Sequence, residues 1–468
     1  GPDRLSERAI YPLDIDDLDT TICRIAPELT LDLPDGQTVE LGVRKVDDFH
    51  PDFLYRKLDV FRELRELRVQ LHTPSTYPQA TARLRQLTQN PCLADTDQNA
   101  TQTPADSSNE DDKTTLERLL EKPLASRQYK DTATESAIAR LIDQALEDVS
   151  VPAADPNRQL YFDAVDELIG ERMRSILHHP RFQALEALWR SVQFLVERLE
   201  LDEEFQLFAL DVTKQELLED LHRSDNRPEQ TEVFRLLVEQ GVQIPGTEPW
   251  SLLAGNFQFG PSEQDASLLS ALGTIASQAG GPFLAQADPA LLGCDSLLDS
   301  LDPRKWRNLE TEAGRRWQAL RDSPAAPWIG LALPRLLLRL PYGPDTDELD
   351  SFSFSEILKP SQQHSCFLWG NPAFGCAFLI ARAFQDTGWT AGRGASLEID
   401  DLPTFSYRDN GESRLKPCAE ALLPEDAATA MLALGLIPVL SKRNSGTVRV
   451  LNLVSLSDPV CALAVSPV

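Results

Sequence analysis

The sequence predicts an α/β fold, a mostly parallel or mixed sheet covered by helices, with an N-terminal hairpin-plus-helix module docking on it. Three observations carry this prediction. From residue 201 onward short apolar runs alternate with amphipathic helical patterns, which places helices over a largely parallel sheet. Near the N-terminus two stretches alternate apolar and polar residues on either side of a turn, and a helical pattern follows. Helix-start signals then recur at Thr213, Ser262 and Asn371.

Taken in order, Leu29, Leu31 and Leu33 alternate with polar residues, Pro34-Asp35-Gly36 supplies the turn, and Val39, Leu41 and Val43 alternate again. This is a β-hairpin with one buried face. Pro51 suits the first helical position, where its missing N–H is no loss, and Leu58, Phe61, Leu64, Leu67 and Leu71 continue at helical spacing. The charged run Arg62, Glu63, Arg65, Glu66 and Arg68 reads as a solvated helix face with local ion pairs. Residues 1–72 thus form the front module. From Thr73 the texture turns to Thr, Pro, Gln, Asn, Ser and Asp, so residues 73–130 read as a flexible polar linker that buries too little surface to offset the entropy of ordering.

Residues 131–200 predict a helical layer with three apolar stripes. They run through Ile138, Leu141 and Ile142, then Val165, Ile169 and Met173, then Phe182, Trp189 and Val196. Residues 201–468 predict the α/β core. Its strands are expected at 205–212, 252–259, 283–287 and 328–333, its helices after the Thr213/Glu216 capping box and after Ser262, and a further helix after Asn371-Pro372.

Composition narrows the function classes. The 468 residues allow about three units with cores of their own. With 73 acidic against 45 basic residues the formal net charge of −28 repels phosphate backbones and anionic bilayers, so nucleic acid is excluded as a partner. No apolar run approaches the roughly 18 residues that span a bilayer, which argues against direct membrane insertion. Seven cysteines, an odd count without a C-x-x-C pair, fit reduced thiols in a cytoplasmic protein. The opening Gly1-Pro2 reads as the scar of a cleaved tag.

Motifs with a chemical mechanism are missing. No Gly-Lys pair supports a phosphate loop, and Gly392-Arg393-Gly394 lacks the third glycine and the strand-to-helix context of a dinucleotide site. His178 and His179 are adjacent, so on a helix their rings diverge by about 100° and do not share a metal. Next to Pro180 they instead suit a helix end, where a histidine can bond the exposed carbonyls. His364, Cys366 and Cys376 lack any spacing that would fix a nucleophile and its base. No catalytic residue, cofactor or metal is expected.

Three separated stretches carry a resemblance. Ile176-Leu177-His178-His179-Pro180-Arg181-Phe182-Gln183, then Pro334-Arg335-Leu336-Leu337-Leu338-Arg339-Leu340-Pro341-Tyr342-Gly343, then Leu368-Trp369-Gly370-Asn371 resemble the large subunit of the type VI secretion contractile sheath. Asp47-Asp48-Phe49-His50-Pro51, with the Arg/Leu helix behind it, resembles the small sheath subunit. The small-subunit likeness runs over residues 10–71 and the large-subunit likeness over residues 132–457. The resemblance implies a non-enzymatic structural protein without cofactor, whose two halves pair within one chain as the two subunits pair in a heterodimer. In that family heterodimers stack as a hollow helical sheath whose contraction drives out an inner tube.

The motif residues Phe49, Pro51, Phe61, His178, Phe182, Trp189, Pro334, Arg335, Arg339, Tyr342, Trp369 and Asn371 are then expected to be structural. Phe182 and Trp189, seven apart, share a helix face. Arg335 and Arg339 flank a leucine run and call for carboxylate partners. Trp369-Gly370-Asn371 reads as a turn into a capped helix. In the family the large subunit continues past the point matching residues 454–457 into strands that link neighbours, whereas this chain stops at Val468. The expectation is therefore an accessory protomer that docks on sheath, baseplate or a dedicated partner. A polymerising subunit of a divergent contractile system is the alternative, and a soluble α/β enzyme a second one.

Overall fold

The computed structural model describes residues 4–89, 158–244, 248–309, 311–358, 363–388, 396–409 and 412–465. The helix expected around Ile138 and most of the expected linker lie outside them. Two compact units result. The first combines Gly1–Leu31, Glu40–Lys57 and Ile176–Val468; the second combines Asp32–Val39 and Leu58–Ser175. These units cut across the divisions read from sequence, because each takes residues from both family-like segments.

The chain opens with β1 (Ile10–Leu13), α1 (Leu18–Ile25) and the hairpin strands β2 (Glu28–Asp32) and β3 (Thr38–Gly42). The hairpin buries alternate residues only, Leu29, Leu31, Val39 and Leu41, as a one-faced ribbon should. Gly36 sits in its turn at φ +79°, a conformation that a side chain would strain. Next come α2 (Pro51–Lys57), α3 (Arg62–His72), α4 (Tyr77–Gln89), α5 (Arg158–Leu177) and α6 (Pro180–Arg198).

Two differences from expectation stand out here. The helix starting at Pro51 is not continuous: Leu58 is extended at φ −75° and ψ 133°, and a short 3-10 turn leads into α3. Leu54, Leu58, Phe61 and Leu64 keep one apolar stripe across the break, so periodicity could not reveal it. Residues 77–89, expected to be linker, form α4. Ala80 and Leu84, four apart, are fully buried, a stripe too narrow to stand out in a Thr/Gln-rich stretch.

In the second unit α3, α4 and residues 158–175 of α5 enclose Leu64, Leu67, Leu71, Ala80, Leu84, Tyr161, Val165, Ile169 and Met173. Tyr77 meets Tyr161 edge-on at 5.9 Å between ring centroids. The charged face of α3 does more than pair locally. Arg62 pairs with Asp59 of the 3-10 turn just before it, but Glu63 meets Arg83 of α4 at 2.8 Å and Arg68 meets Asp166 of α5 at 2.8 Å.

The first unit continues with β4 (Leu207–Leu210), α7 (Lys214–Arg223), β5 (Leu253–Phe259), α8 (Glu263–Ala279), β6 (Phe283–Ala287), α9 (Thr311–Arg321) and β7 (Ile329–Leu333). Then follow β8 (Leu336–Arg339), β9 (Leu368–Gly370), α10 (Pro372–Thr387), β10 (Glu398–Ile399), β11 (Ser406–Asp409), β12 (Glu412–Leu415), α11 (Glu425–Ala433), β13 (Leu436–Ser441) and β14 (Val448–Val450). Among the described residues the main sheet has six strands in the order β10-β14-β13-β7-β6-β5. β5, β6, β7 and β13 run parallel, while β14 pairs antiparallel with β13 on one side and with β10 on the other, so the sheet is mixed.

Helices cover this sheet. Leu268, Leu269, Leu272 and Ile275 of α8 share a core with Phe283, Ala285, Ile329 and Leu331, and α10 lies against β5, β6 and β7. All five residues of β7 are buried, as expected of a central parallel strand covered on both faces. The start signals act as read: Thr213 and Glu216 form a reciprocal capping box, Ser262 accepts from the Asp265 amide, and Asn371 accepts from the Ala373 amide.

The N-terminal arm is built into this unit. Leu5 enters the core beside Leu217, Leu221, Val233 and Phe234. Ser6 donates to Glu232, Arg8 grips Glu216, and β1 pairs antiparallel with β4 from Ile10↔Leu210 to Leu13↔Leu207. Glu216 is already the N-terminal cap partner of α7, and the Arg8 hydrogen bond holds its carboxyl at about 2. No described helix is long and apolar enough to cross a membrane.

Candidate functional site: the buried Arg339 cluster

The residues singled out from sequence converge, within the first unit, on the end of β8. Arg339 is 7% exposed and lies between two fully buried carboxylates. Its Nε donates to Glu186 on α6 at 2.8 Å, and its Nη1 donates to Glu356 at 3.0 Å. Its guanidinium carbon stands 4.3 Å from the centre of the Tyr342 ring. Arg190, one turn along α6, donates to Glu186 at 2.8 Å and to the Tyr342 hydroxyl at 3.2 Å. Glu356 also accepts from the Tyr342 amide at 2.9 Å and lies 3.0 Å from His178 Nε2.

The cluster is therefore a closed ring of charge-assisted bonds, with two guanidinium groups facing two carboxylates. Burial by itself would push the Arg339 pKa down, but Glu186 and Glu356 outweigh it and raise it above its ordinary value. Burial likewise favours a neutral Glu356, yet the Arg339 charge and the His178 hydrogen bond hold it below the usual carboxylate range. The Tyr342 hydroxyl is pushed up to about 12 by burial and stays protonated. Arg339, Glu186 and Glu356 are 0–7% exposed, whereas Arg190 and His178, at 22% and 28%, close the cluster on its more open side. Among the described residues no His, Cys, Asp or Glu group is arranged to hold a metal ion.

The small-subunit-like motif packs directly against this ring. Phe49 meets Phe182 edge-on at 5.5 Å, and both side chains are fully buried. His50 meets Tyr342 edge-on at 5.1 Å. Pro51 opens α2, and the next residue, Asp52, accepts the backbone amides of Asp350 and Ser351 at 3.1 and 3.0 Å. Burial raises the Asp52 pKa, but these hydrogen bonds prevail and lower it. Tyr55 lies 4.9 Å from Phe352. Phe49, Pro51, His178, Phe182, Arg339 and Tyr342 are thus brought together, although 290 or more positions separate Phe49 from the last two.

The remaining motif residues lie elsewhere. Trp189 is buried further along α6, and Phe61 is fully buried in the second unit. Pro334 is buried in the turn between β7 and β8. Arg335 donates through two nitrogens to Glu420 at 2.8 and 2.6 Å, and His364 lies 3.5 Å from the same carboxylate. Burial favours the neutral acid, but the Arg335 and His364 hydrogen bonds bring Glu420 down to about 2. His364 stacks on Trp369 at 5.1 Å. Asn371 caps α10 and also donates toward the carbonyls of Gly255 and Phe257 on β5 at 3.4 and 3.3 Å.

Two placements differ from expectation. His178 does not bond the carbonyls ending α5; its ring reaches Glu356, and it is His179 that acts, as the cap of α6, accepting from the Arg181 amide. Trp369 does not belong to a turn. It lies in β9, which pairs antiparallel with β8 as Leu337↔Trp369, and the helix begins only after Gly370. Long-range pairing fixed both, and local spacing cannot show it.

Glu186, Glu356, Asp52 and Glu420 escaped the sequence reading. Glu186 left a signal, because it lies on the buried stripe of α6, four residues after Phe182 and three before Trp189. An acid on such a stripe requires a buried cation. Glu356 sits in an irregular segment among many carboxylates and left none.

Comparison with known proteins agrees with this geometry. Residues 160–456 match the family described as VipB, "EvpB/VC_A0108, tail sheath N-terminal domain". Residues 2–102 match the family described as "Type VI secretion system, VipA, VC_A0107 or Hcp2". The chain is 30% identical over 337 residues to the type VI secretion system sheath protein TssC1 of Pseudomonas aeruginosa, covering 70% of this chain and 67% of that protein. Taken with the meeting of both motif sets around Arg339, these matches place the chain in the type VI secretion sheath family, with a small-subunit-like and a large-subunit-like segment in one polypeptide.

Proposed function

We propose that the chain is a non-enzymatic, pre-paired sheath protomer of a type VI secretion apparatus, acting in the cytoplasm. The observation that carries this reading is the seating of Phe49, His50 and Asp52 against Phe182, Tyr342 and the 350–351 backbone inside one compact unit. What two subunits achieve by association is here intramolecular, and tethering keeps the local concentration of the halves high, on the order of millimolar for a short linker. The buried ring is a structural joint: its energy goes into fixing one geometry of the paired halves rather than into turning over a substrate.

The finer reading is an accessory role at an assembly end, docking on sheath, baseplate or a dedicated partner protein. Fusion supports it. The polypeptide between the two segments ties together ends that would be free in two separate chains, and in the family such ends reach out to neighbours. Mixing the purified full chain with tube, sheath and baseplate proteins tests both levels. Decoration confined to sheath or baseplate ends is the expected result. Long regular filaments of this chain alone would replace the end-docking role by that of a polymerising subunit, and failure to bind any of the components would overturn the assembly role altogether.

A further inference from the structure

Six lysines lie among the described residues, and five of them are placed as surface cations usually are. Lys45 pairs with Asp47, Lys214 with Asp265 and Lys442 with Glu398, while Lys57 and Lys305 are exposed. Lys416 differs. It is half-buried, its ammonium stands 4.9 Å from the centre of the Phe367 ring, and among the described residues it meets no carboxylate within 4 Å. Phe367 is itself buried, in a cluster with Leu337 and Trp369 against which Leu340 and Phe405 pack. Phe405 meets Phe367 edge-on at 5.2 Å, and Trp369 lies 6.0 Å from it. The amine therefore rests on an aromatic wall.

The backbone beneath it is fixed on both sides. The Lys416 amide donates to the Phe405 carbonyl at 2.8 Å, which carries the β11–β12 pairing one step further. Pro417 follows and keeps residue 416 extended, and the Cys418 amide donates to Ser441 Oγ on β13 at 3.0 Å. Burial without a compensating charge lowers the Lys416 pKa, so at neutral pH it holds more neutral amine than a solvated lysine does. Only the neutral amine is a nucleophile, and desolvation against apolar groups is one way a protein activates a lysine.

We propose that Lys416 is a modification site, acylated at Nζ by a small activated acyl compound, either an acyl phosphate or an acyl thioester. The amine nitrogen attacks the acyl carbon and forms the new C–N bond. The C–O bond to phosphate, or the C–S bond to the thiol, breaks; the leaving group takes the electron pair, and the nitrogen gives a proton to water. Both kinds of donor bring their own leaving group, so the chain has to supply only a held, unprotonated nitrogen. The product is a neutral amide. It gives up the cation contact with Phe367 but no longer sets an unpaired charge against apolar rings. This inference concerns one side chain and stands apart from the assembly role.

Incubating the full chain with acetyl phosphate, and separately with acetyl-coenzyme A, tests it when each lysine is followed by peptide mass spectrometry. Lys416 is expected to be acetylated faster than the exposed Lys57 and Lys305, by about fivefold or more, because its larger amine fraction outweighs the lower basicity of the nitrogen. In concentrated urea the preference should disappear, since the fold creates it. Phe405→Leu thins the wall at a half-buried ring and should reduce the preference while circular dichroism shows the chain still folded. Reaction with one donor alone supports the proposal and identifies the acyl source. The proposal is overturned if Lys416 reacts no faster than Lys57 and Lys305 with either donor, or if its preference survives unchanged in urea or in the folded Phe405→Leu variant.

Discussion

Removing the Arg339 guanidinium leaves two fully buried carboxylates, Glu186 bonded to Arg190 and Glu356 bonded to the Tyr342 amide and next to His178. Breaking a buried ion pair from one side typically costs about 3 to 5 kcal/mol, most of it from the stranded charge. Arg339→Ala is expected to lower stability by that amount in urea denaturation. Arg339→Lys should cost less but not nothing, since one ammonium cannot serve both carboxylates through separate nitrogens. Glu420 offers a pH test. Its folded value of about 2 lies below the ordinary 4.5, so it contributes stability above pH 4.5 that is lost as the pH falls toward 2. Glu420→Gln should flatten the stability profile over that window, and an unchanged slope would show that Arg335 does not hold the carboxylate in solution.

Whole elements depend on a few such residues. The N-terminal arm is held by Leu5 in the core, by Arg8 on Glu216, and by the four-residue β1–β4 ladder. Truncating a buried leucine costs about 2 to 5 kcal/mol. For so short an arm this exceeds what the remaining contacts supply, so Leu5→Ala is expected to free residues 4–13 without unfolding the rest. Limited proteolysis should then cut ahead of α1 at least tenfold faster, while the melting temperature of the body stays within a few degrees. In α4 the analogous residue is Leu84, and its replacement by Asp should unseat α4 from α3, read as lost amide protection over residues 77–89.

Over the whole molecule, the units interleave the two family-like segments: 1–31 and 40–57 fold with the α/β body, and 32–39 and 58–89 fold with residues 158–175. A cut in the polypeptide between 90 and 157 leaves these cores intact on paper. The two fragments, coexpressed, are expected to copurify in equal amounts, whereas either fragment alone should be insoluble because Leu5, Phe49 and Leu67, or their partners, would face water. Independent solubility of both fragments without association would refute the pairing.

Local chemistry was legible from the amino-acid string wherever a few adjacent residues decide it. The hairpin around Pro34-Asp35-Gly36, the Thr213, Ser262 and Asn371 caps, the strands at 283–287 and 329–333 and the alternation of strand with helix all follow from spacing that acts over one or two turns of chain. The family motifs could likewise be read as motifs. Tertiary structure decided which carboxylate meets Arg339, that His178 turns to Glu356, that Trp369 is strand, and that α4 is ordered. Those outcomes depend on burial and on partners as far apart as residues 186 and 339, and a buried charge selects its partner by position in space, which neighbouring residues in the chain do not encode.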